Sequence, residues 1–459
     1  MEYGIDMLFK DVVNDERCCE IFDKLLPNVR QILDNQPMAM SLSLRKISEY
    51  SHELIPDEKL KELDAYLSVF NDGGLSPREE KQINFYKSLA KQDNVKDSIS
   101  EVEKNNSFIP GKVWGDTNGK AIQAHAGCIL YEDGYYYWFG ENKSHTDGKN
   151  GIWSWGINCY KSSDLYNWTN LGLVIPPNLD NPKSNLFPEM HLDRPHVIKC
   201  QSTGKYICWI KVSGVNSCFI VLESSTITGP YRLVREDYQP FGYQIGDFDL
   251  VVDEKNNQAY LFSSVNHSSV VGFLLSDDYT SVVKEISVSY PDLTPPFTRE
   301  AISVFKKGEK YYMISSGMTG YLPNQSDVAV ADDLESEFIS LGDPHPSDTS
   351  LTSFNSQISN VFQIRGTELL VAIADRWLPE TLFDREQALT IRQVIGDLKN
   401  KKSSQISKDK IDYVFSIPEM DDTKANTSIA NYIWLPIKMN QGIPEIEWLP
   451  EWCYESYLD

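Results

Sequence analysis

Basic residues are scarce in this chain. Lys and Arg number 43 against 66 Asp and Glu, a formal net charge of −23 over 459 residues. A balance of that sign argues against nucleic acid as a partner, because phosphate binding draws on clustered Lys and Arg. It also disfavours an anionic membrane surface or a polyanionic substrate. No stretch is apolar for long enough to span a bilayer. The N-terminus, Met1-Glu2-Tyr3-Gly4-Ile5-Asp6, lacks a basic region followed by an apolar run, so a signal peptide is not expected. The eight cysteines never fall in Cys-x-x-Cys spacing, which points away from a disulfide framework and from a zinc site. Reduced thiols and a cytoplasmic location are the expectation. Phosphate loops, nucleotide fingerprints and metal-ligand clusters are missing as well, so no cofactor is expected.

What the chain does have is one strand pattern that recurs five times. Each copy opens on polar or charged residues, enters an apolar strand, turns, and leaves on a strand rich in aromatic or aliphatic residues. The copies open at Ile122-Gln123-Ala124-His125, Leu192-Asp193-Arg194-Pro195, Gly246-Asp247-Phe248-Asp249, Arg299-Glu300-Ala301-Ile302 and Asn355-Ser356-Gln357-Ile358. Their outgoing strands start at Tyr135, Tyr206, Ala259, Tyr311 and Leu369. Repeats of this size filled with strands predict a β-propeller, and five copies predict five blades. The propeller is expected over 108–459, with an insertion at about 378–430 in the last blade and the strand at Tyr432 completing it.

Residues 1–104 read instead as a small α-helical region and linker. Cys18, Ile21, Phe22, Leu25 and Leu26 make one helical stripe, and Leu60, Leu63, Leu67 and Phe70 another. Ser76-Pro77-Arg78-Glu79 has the composition of a helix start. A charged linker is expected from Lys91 to Asn106.

The innermost strands of a propeller converge on its axis, so the polar openings of the five copies would meet in one pocket. Alternation along a strand puts Asp247 and Asp249 on one face, and likewise Gln123 with His125 and Gln357 with Ser359. Gathering so many polar groups at an axis is costly unless they bind something. Hydrolysis of a glycosidic bond needs a carboxylic acid that stays protonated. Glu300, followed by Ala301, Ile302, Val304 and Phe305, has an apolar setting that would raise its pKa, and Asp247 is placed to add like-charge repulsion. Glu141 and Asp193 could hydrogen-bond sugar hydroxyls. Trp377, Tyr321 and Trp155 offer apolar faces to sugar C–H groups.

These motifs resemble glycoside hydrolase family 43, and most closely its exo-β-1,3-galactanase branch. The resemblance rests on Gln123-Ala124-His125-Ala126-Gly127, Trp138-Phe139-Gly140-Glu141, Arg194-Pro195-His196-Val197, Gly246-Asp247, Glu300-Ala301, the run Ser315–Gly320, Ser356-Gln357 and Asp375-Arg376-Trp377, in that order. It covers about Trp114 to Trp377, and again Tyr432 to Trp448, and it leaves the helical region out. It implies an all-β five-bladed propeller and an inverting exo-glycosidase acting on terminal β-1,3-linked galactosyl residues of an oligosaccharide. It puts Glu300 on the general acid, Asp247 on the residue that tunes it and Glu141 on a substrate-binding glutamate. Gln123, Asp193, Arg376 and Trp377 are expected as further substrate contacts, and His125 as either a substrate contact or a structural residue. The first inner strand carries no aspartate to act as base. By resemblance Gln357 holds the water instead, either as the imidic tautomer or by orienting it. Asp193 stands where the branch has glutamate, one methylene longer. At the axis the resemblance allows a calcium ion or a water, with His267 as a contact.

Two other readings stay open. A β-xylosidase or α-L-arabinofuranosidase would keep the fold and change the sugar, against which the missing first-blade aspartate counts. A carbohydrate-binding propeller without activity would need no protonated acid, so the presence of both Glu300 and Asp247 counts against it.

Overall fold

The computed structural model of the protein describes residues 3–36, 38–72, 75, 77–91, 104–214, 216–253, 255–400 and 406–458. The chain divides into two compact units, one formed by 1–93 with 179–182 and the other by 94–178 with 183–459.

The first unit is helical. Helices Phe9–Asn14, Glu16–Leu25, Val29–Asp34, Leu44–Tyr50, Asp57–Ser68 and Pro77–Leu89 follow one another through short connections. Both expected stripes supply its core, where Cys18, Ile21 and Phe22 pack with Leu63, Leu67 and Phe70. Asp15 and Ser43 start two of the helices by accepting from the backbone N–H groups of Arg17 and Lys46. Ser76, expected to do the same for the last helix, lies outside the described residues, as do 92–103 of the expected linker and 401–405 of the polar run Lys399–Lys410.

The second unit is a five-bladed propeller. Five four-stranded antiparallel sheets follow in chain order, each with its strands laid side by side as they occur in sequence. The inner strands are His125–Glu132, Leu192–Lys199, Ile245–Asp253, Arg299–Lys307 and Gln357–Gln363. The second strand of each blade is buried almost throughout, as in Tyr206–Val212, because sheets cover both of its faces. Where the last blade meets the first, Trp138, Trp168, Tyr432 and Trp434 pack with Phe108 in an aromatic cluster. Phe108 and Trp452 exchange backbone hydrogen bonds of 2.7 and 3.0 Å, tying the two ends of the ring together. Two blade ends are thus joined by contacts about 340 residues apart in sequence, a closure that leaves few free edges.

The last blade is interrupted between Leu370–Arg376 and Asn431–Asn440. Among the described residues the insert carries helices Arg385–Lys399 and Lys408–Ser416 and the 3₁₀ turns Pro418–Met420, Asp422–Lys424 and Thr427–Ile429. Asp384 and Gln387 form a reciprocal capping box at the start of its first helix. Phe383, Ile391, Val394 and Val414 bury the insert against Leu322 and Trp377 of the propeller.

Candidate active site

Every inner strand breaks register close to its start, and at three of these breaks a residue other than glycine takes positive φ: Ala126 (47°), Arg194 (53°) and Ala301 (52°). Such a conformation is strained unless its surroundings hold it. In all three cases a carboxylate does so. Ala126 N–H donates to Asp375 Oδ2, Arg194 N–H to Glu141 Oε1 and Ala301 N–H to Asp247 Oδ2, each at 2.9 Å and each from the preceding blade around the ring. Asp193 and Glu300, which precede two of these positions, line the axial cavity, and Asp247 fixes the backbone of Glu300 as well as its electrostatics.

The cavity holds about 550 Å³, within the range of small-ligand sites. Asp193, Asp247, Glu300 and Gln357 line it from four inner strands, with Ala126 from the remaining one and Glu141 beside it. Glu300 is pushed up to about 8, by burial first and by the neighbouring Asp247 charge second. Burial also opposes ionisation of Asp247, but the Arg194 and Lys211 cations outweigh it and hold that carboxyl well below the usual range. The contacts are Arg194 Nε to Asp247 Oδ2 at 2.7 Å and Lys211 Nζ to Asp247 Oδ1 at 2.5 Å. One carboxyl is kept neutral and its neighbour ionised, the division of labour expected of an acid and the group that tunes it.

Gln357 uses its whole amide. Oε1 accepts from Arg194 Nη2 (3.1 Å) and Trp377 Nε1 (3.2 Å), while Nε2 donates to Ser316 Oγ (3.1 Å) and Glu300 Oε1 (3.2 Å). Guanidinium and indole can only donate, so the amide oxygen must face them.

Glu141 and Asp193 line the cavity with their oxygens already engaged. Glu141 pairs with Lys143 at 2.6 Å, and burial pushes its carboxyl up to about 7 against the pull of that lysine. Asp193 accepts from Trp153 Nε1 (2.7 Å) and Ser213 Oγ (2.5 Å) and lies 3.2 Å from Lys211 Nζ. Trp377 lines the cavity and continues through Tyr321 and Trp153 to His191, with ring centroids 4.9, 5.5 and 3.9 Å apart. That aromatic wall suits the C–H faces of a sugar.

Three expected substrate contacts and two aromatic or axial candidates are placed elsewhere. His125 is fully buried, with Nδ1 bonded to Asp375 at 2.8 Å and its ring stacked on Tyr432. Its neighbour Ala126 reaches the cavity because the bulge breaks the alternation. Gln123 is buried and bridges two segments, donating to Ser428 O and accepting from Lys143 N–H. Arg376 alternates away from Asp375 and Trp377; its Nη2 donates to Phe354 O and its guanidinium lies over Trp448. Trp155 packs against the His145 ring, centroids 4.3 Å apart. His267 is exposed, with Nδ1 3.1 Å from Met318 Sδ. Asp247 and Asp249 do share a face at different heights: Asp249 Oδ2 accepts from Val304 N–H and Oδ1 pairs with His196. Gln357 and Ser359 are parted by the register break after Ile358. Among the described residues no group of three or more His, Cys, Asp and Glu could hold a metal.

Sequence reasoning missed Lys211, Lys143, Trp153, His191 and the insert's Asp421, Asp422 and Thr423, all at or beside the cavity. Lys211 left a readable sign: a cation between Ile210 and Val212 in an otherwise apolar strand must have a buried partner.

A five-bladed propeller with an axial funnel, one neutral carboxyl and one ionised carboxylate defines a propeller of the glycosidase type. The chain belongs to glycosyl hydrolases family 43, whose family model matches residues 123–360. It is similar to the solved structure of a family 43 β-1,3-galactosidase, with 27% identity and a TM-score of 0.61 over 77% of this chain and 65% of that one. A second family 43 β-1,3-galactosidase, solved with galactodeoxynojirimycin, shares 25% identity over 75% of this chain and 100% of its own, with a TM-score of 0.59. The fold is also that of the exo-β-1,3-galactanase from Phanerochaete chrysosporium solved with β-1,3-galactotriose, at 24% identity, 76% and 68% coverage and a TM-score of 0.59. The chain thus spans about two thirds of the length of some of these proteins and all of another. No curated protein sequence matches it.

Proposed function

We propose that this protein is an inverting exo-glycosidase that removes terminal β-1,3-linked galactosyl residues from galactan-type oligosaccharides. The observation that carries the reading is Glu300, braced through Ala301 by Asp247 and pushed up to about 8, hence protonated at neutral pH. Such a carboxyl can give its proton to the leaving oxygen as the glycosidic bond breaks. Ionised Asp247 positions that acid. The similar structures named as β-1,3-galactosidases support the choice of sugar.

Water must attack from the opposite face, with room between it and the acid. Glu300 and Gln357 touch directly, so an arriving sugar has to part them. The Nε2 group freed in this way carries hydrogens and no lone pair, and can hold a water without taking its proton. The imidic tautomer would need a hydrogen on Oε1, where the Arg194 and Trp377 donors already point. Gln357 in this reading orients the water. The eight cysteines are all free thiols, which suits a reducing compartment, so action on imported oligosaccharides in the cytoplasm belongs to the same proposal.

The test is sugar release from β-1,3-galacto-oligosaccharides, with xylosides and arabinosides alongside, by wild type, Glu300→Gln and Gln357→Ala. Galactose release lost in Glu300→Gln supports the reading. Cleavage of pentosides alone would move the specificity, and sugar binding with no release would make the protein a carbohydrate-binding propeller.

A further inference from the structure

One wall of the cavity does not come from the propeller blades. Met420, Asp421, Asp422 and Thr423 of the last-blade insert line it. The insert is fastened on two sides. Toward the first blade, Gln123 Nε2 donates to Ser428 O at 3.2 Å and the Thr146 and Thr427 hydroxyls meet at 3.0 Å. Toward the fourth, Tyr321 N–H donates to Asp422 Oδ1 at 3.3 Å. Gly320 takes φ of +60° there, and a Cβ on it would fall 2.2 Å from Asp422 Oδ1, so the carboxylate and the 320–321 turn fit only with glycine. Asp422 is exposed, and the surface it faces is the cavity. Its Oδ2 accepts no hydrogen bond from the described residues, whereas Asp247 uses both oxygens on protein cations and Asp193 uses both on protein donors.

We propose that Asp422 is a specificity-determining residue, whose carboxylate accepts hydrogen bonds from hydroxyls of the terminal sugar and restricts the cavity to uncharged sugars. The inference rests on the glycosidase reading and adds to it which group reads the sugar. The geometry provides the two requirements: a carboxylate held in place by one bond and a fitted turn, and a second oxygen without a hydrogen bond from the described residues, on a side chain that lines the cavity. Desolvation pushes the Asp422 carboxyl up to about 6, so it is ionised at neutral pH, and a charged acceptor holding a hydroxyl discriminates strongly against analogues that lack it. The exclusion of anionic sugars follows from the charges around it. Asp421 stands beside Asp422 on the same wall, and the cavity cations Lys211 and Arg194 are already paired with Asp247 and Asp193. A uronic acid would set a third negative charge against that wall with no free cation among these groups to meet it.

The experiment measures kcat and KM on β-1,3-galactobiose for wild type, Asp422→Asn and Asp422→Ala, with inhibition by galactose and by galacturonate measured on each. Asp422→Asn keeps an oxygen for Tyr321 N–H, so a merely structural role would leave it like wild type. The proposal expects KM to rise about tenfold in Asp422→Asn and further in Asp422→Ala, with kcat within about threefold of wild type. It also expects galacturonate to inhibit Asp422→Asn and not wild type. Unchanged KM and unchanged inhibitor selectivity in Asp422→Asn, with an unchanged melting temperature, would overturn it. So would a fall in kcat at constant KM. Glu300→Gln, run in parallel, tests the functional reading separately. If the wild type cleaves another glycoside, the same comparison is made on that glycoside. If it cleaves none, it is made on the Kd of the monosaccharide it binds, and an unmoved value, or no binding of any sugar, overturns the inference.

Discussion

Replacing Asp247 by asparagine tests the electrostatic design of the site. The carboxylate meets Arg194 Nε at 2.7 Å and Lys211 Nζ at 2.5 Å, and it accepts from Ala301 N–H at 2.9 Å. An amide is nearly the same size. Its oxygen can still serve Ala301 N–H and Arg194, so the bulge that aims Glu300 keeps its brace. Two electrical changes act on Glu300 in the same direction. The negative charge that opposed its ionisation disappears, and the Lys211 and Arg194 cations that favour ionisation lose the charge that offset them. Burial alone continues to raise the pKa. A single close charge shifts a neighbour by about 1–3 units. Taking about 2 units, an acid at about 8 moves to about 6. At about pH 7.5 the protonated fraction then falls about 25-fold, and at about pH 5 it hardly changes. The assay is the pH dependence of kcat/KM. Wild type should lose activity as pH rises through about 8, since the acid must hold its proton. The variant's alkaline limb should lie about 2 units lower. A limb that stays in place, with activity lowered equally at every pH, would refute the argument.

Other outcomes follow from the same geometry. Glu300→Gln should lower kcat by about 10²–10⁴, with folding stability in urea close to wild type, because the glutamine resembles the neutral acid that it replaces. Asp375→Ala strips the hydrogen-bond partner from fully buried His125 and from Ala126 N–H, and should cost about 2–6 kcal/mol in urea unfolding of the propeller. Trp377→Phe keeps an aromatic face but removes one of the two donors on Gln357 Oε1; kcat should fall about tenfold with KM little changed if Gln357 positions the water, and unchanged kcat would count against that role.

The fold was legible because a propeller blade is a local object. Each inner strand and its partner lie within about 20 residues of each other, and polar openings such as Asp193-Arg194 and Glu300-Ala301 mark every inner strand but hold no place in an apolar core. The place of Glu300 and Asp247 in the axial cavity was readable for the same reason. Gln123 and His125 are taken up by Ser428, Lys143 and Asp375 of other segments, partners that nothing in Gln123-Ala124-His125-Ala126 announces. Positive φ at Ala126 depends on Asp375, about 250 residues later in the chain. Arg376 was misplaced because the motif Asp375-Arg376-Trp377 was read as a block, although neighbouring residues on a strand face opposite sides. The cavity wall at Asp421–Thr423 was illegible because the insert resembles a surface segment. Its place over the axis is set by contacts with Gln123, Thr146 and Tyr321, which no local pattern encodes.

The most direct test of the central claim follows β-1,3-galactobiose hydrolysis by proton NMR from the first turnovers. The account predicts that galactose is released, that the α anomer appears first and then mutarotates, and that Glu300→Gln releases none on the same timescale. Release of the β anomer first, or undiminished release by Glu300→Gln, would contradict it.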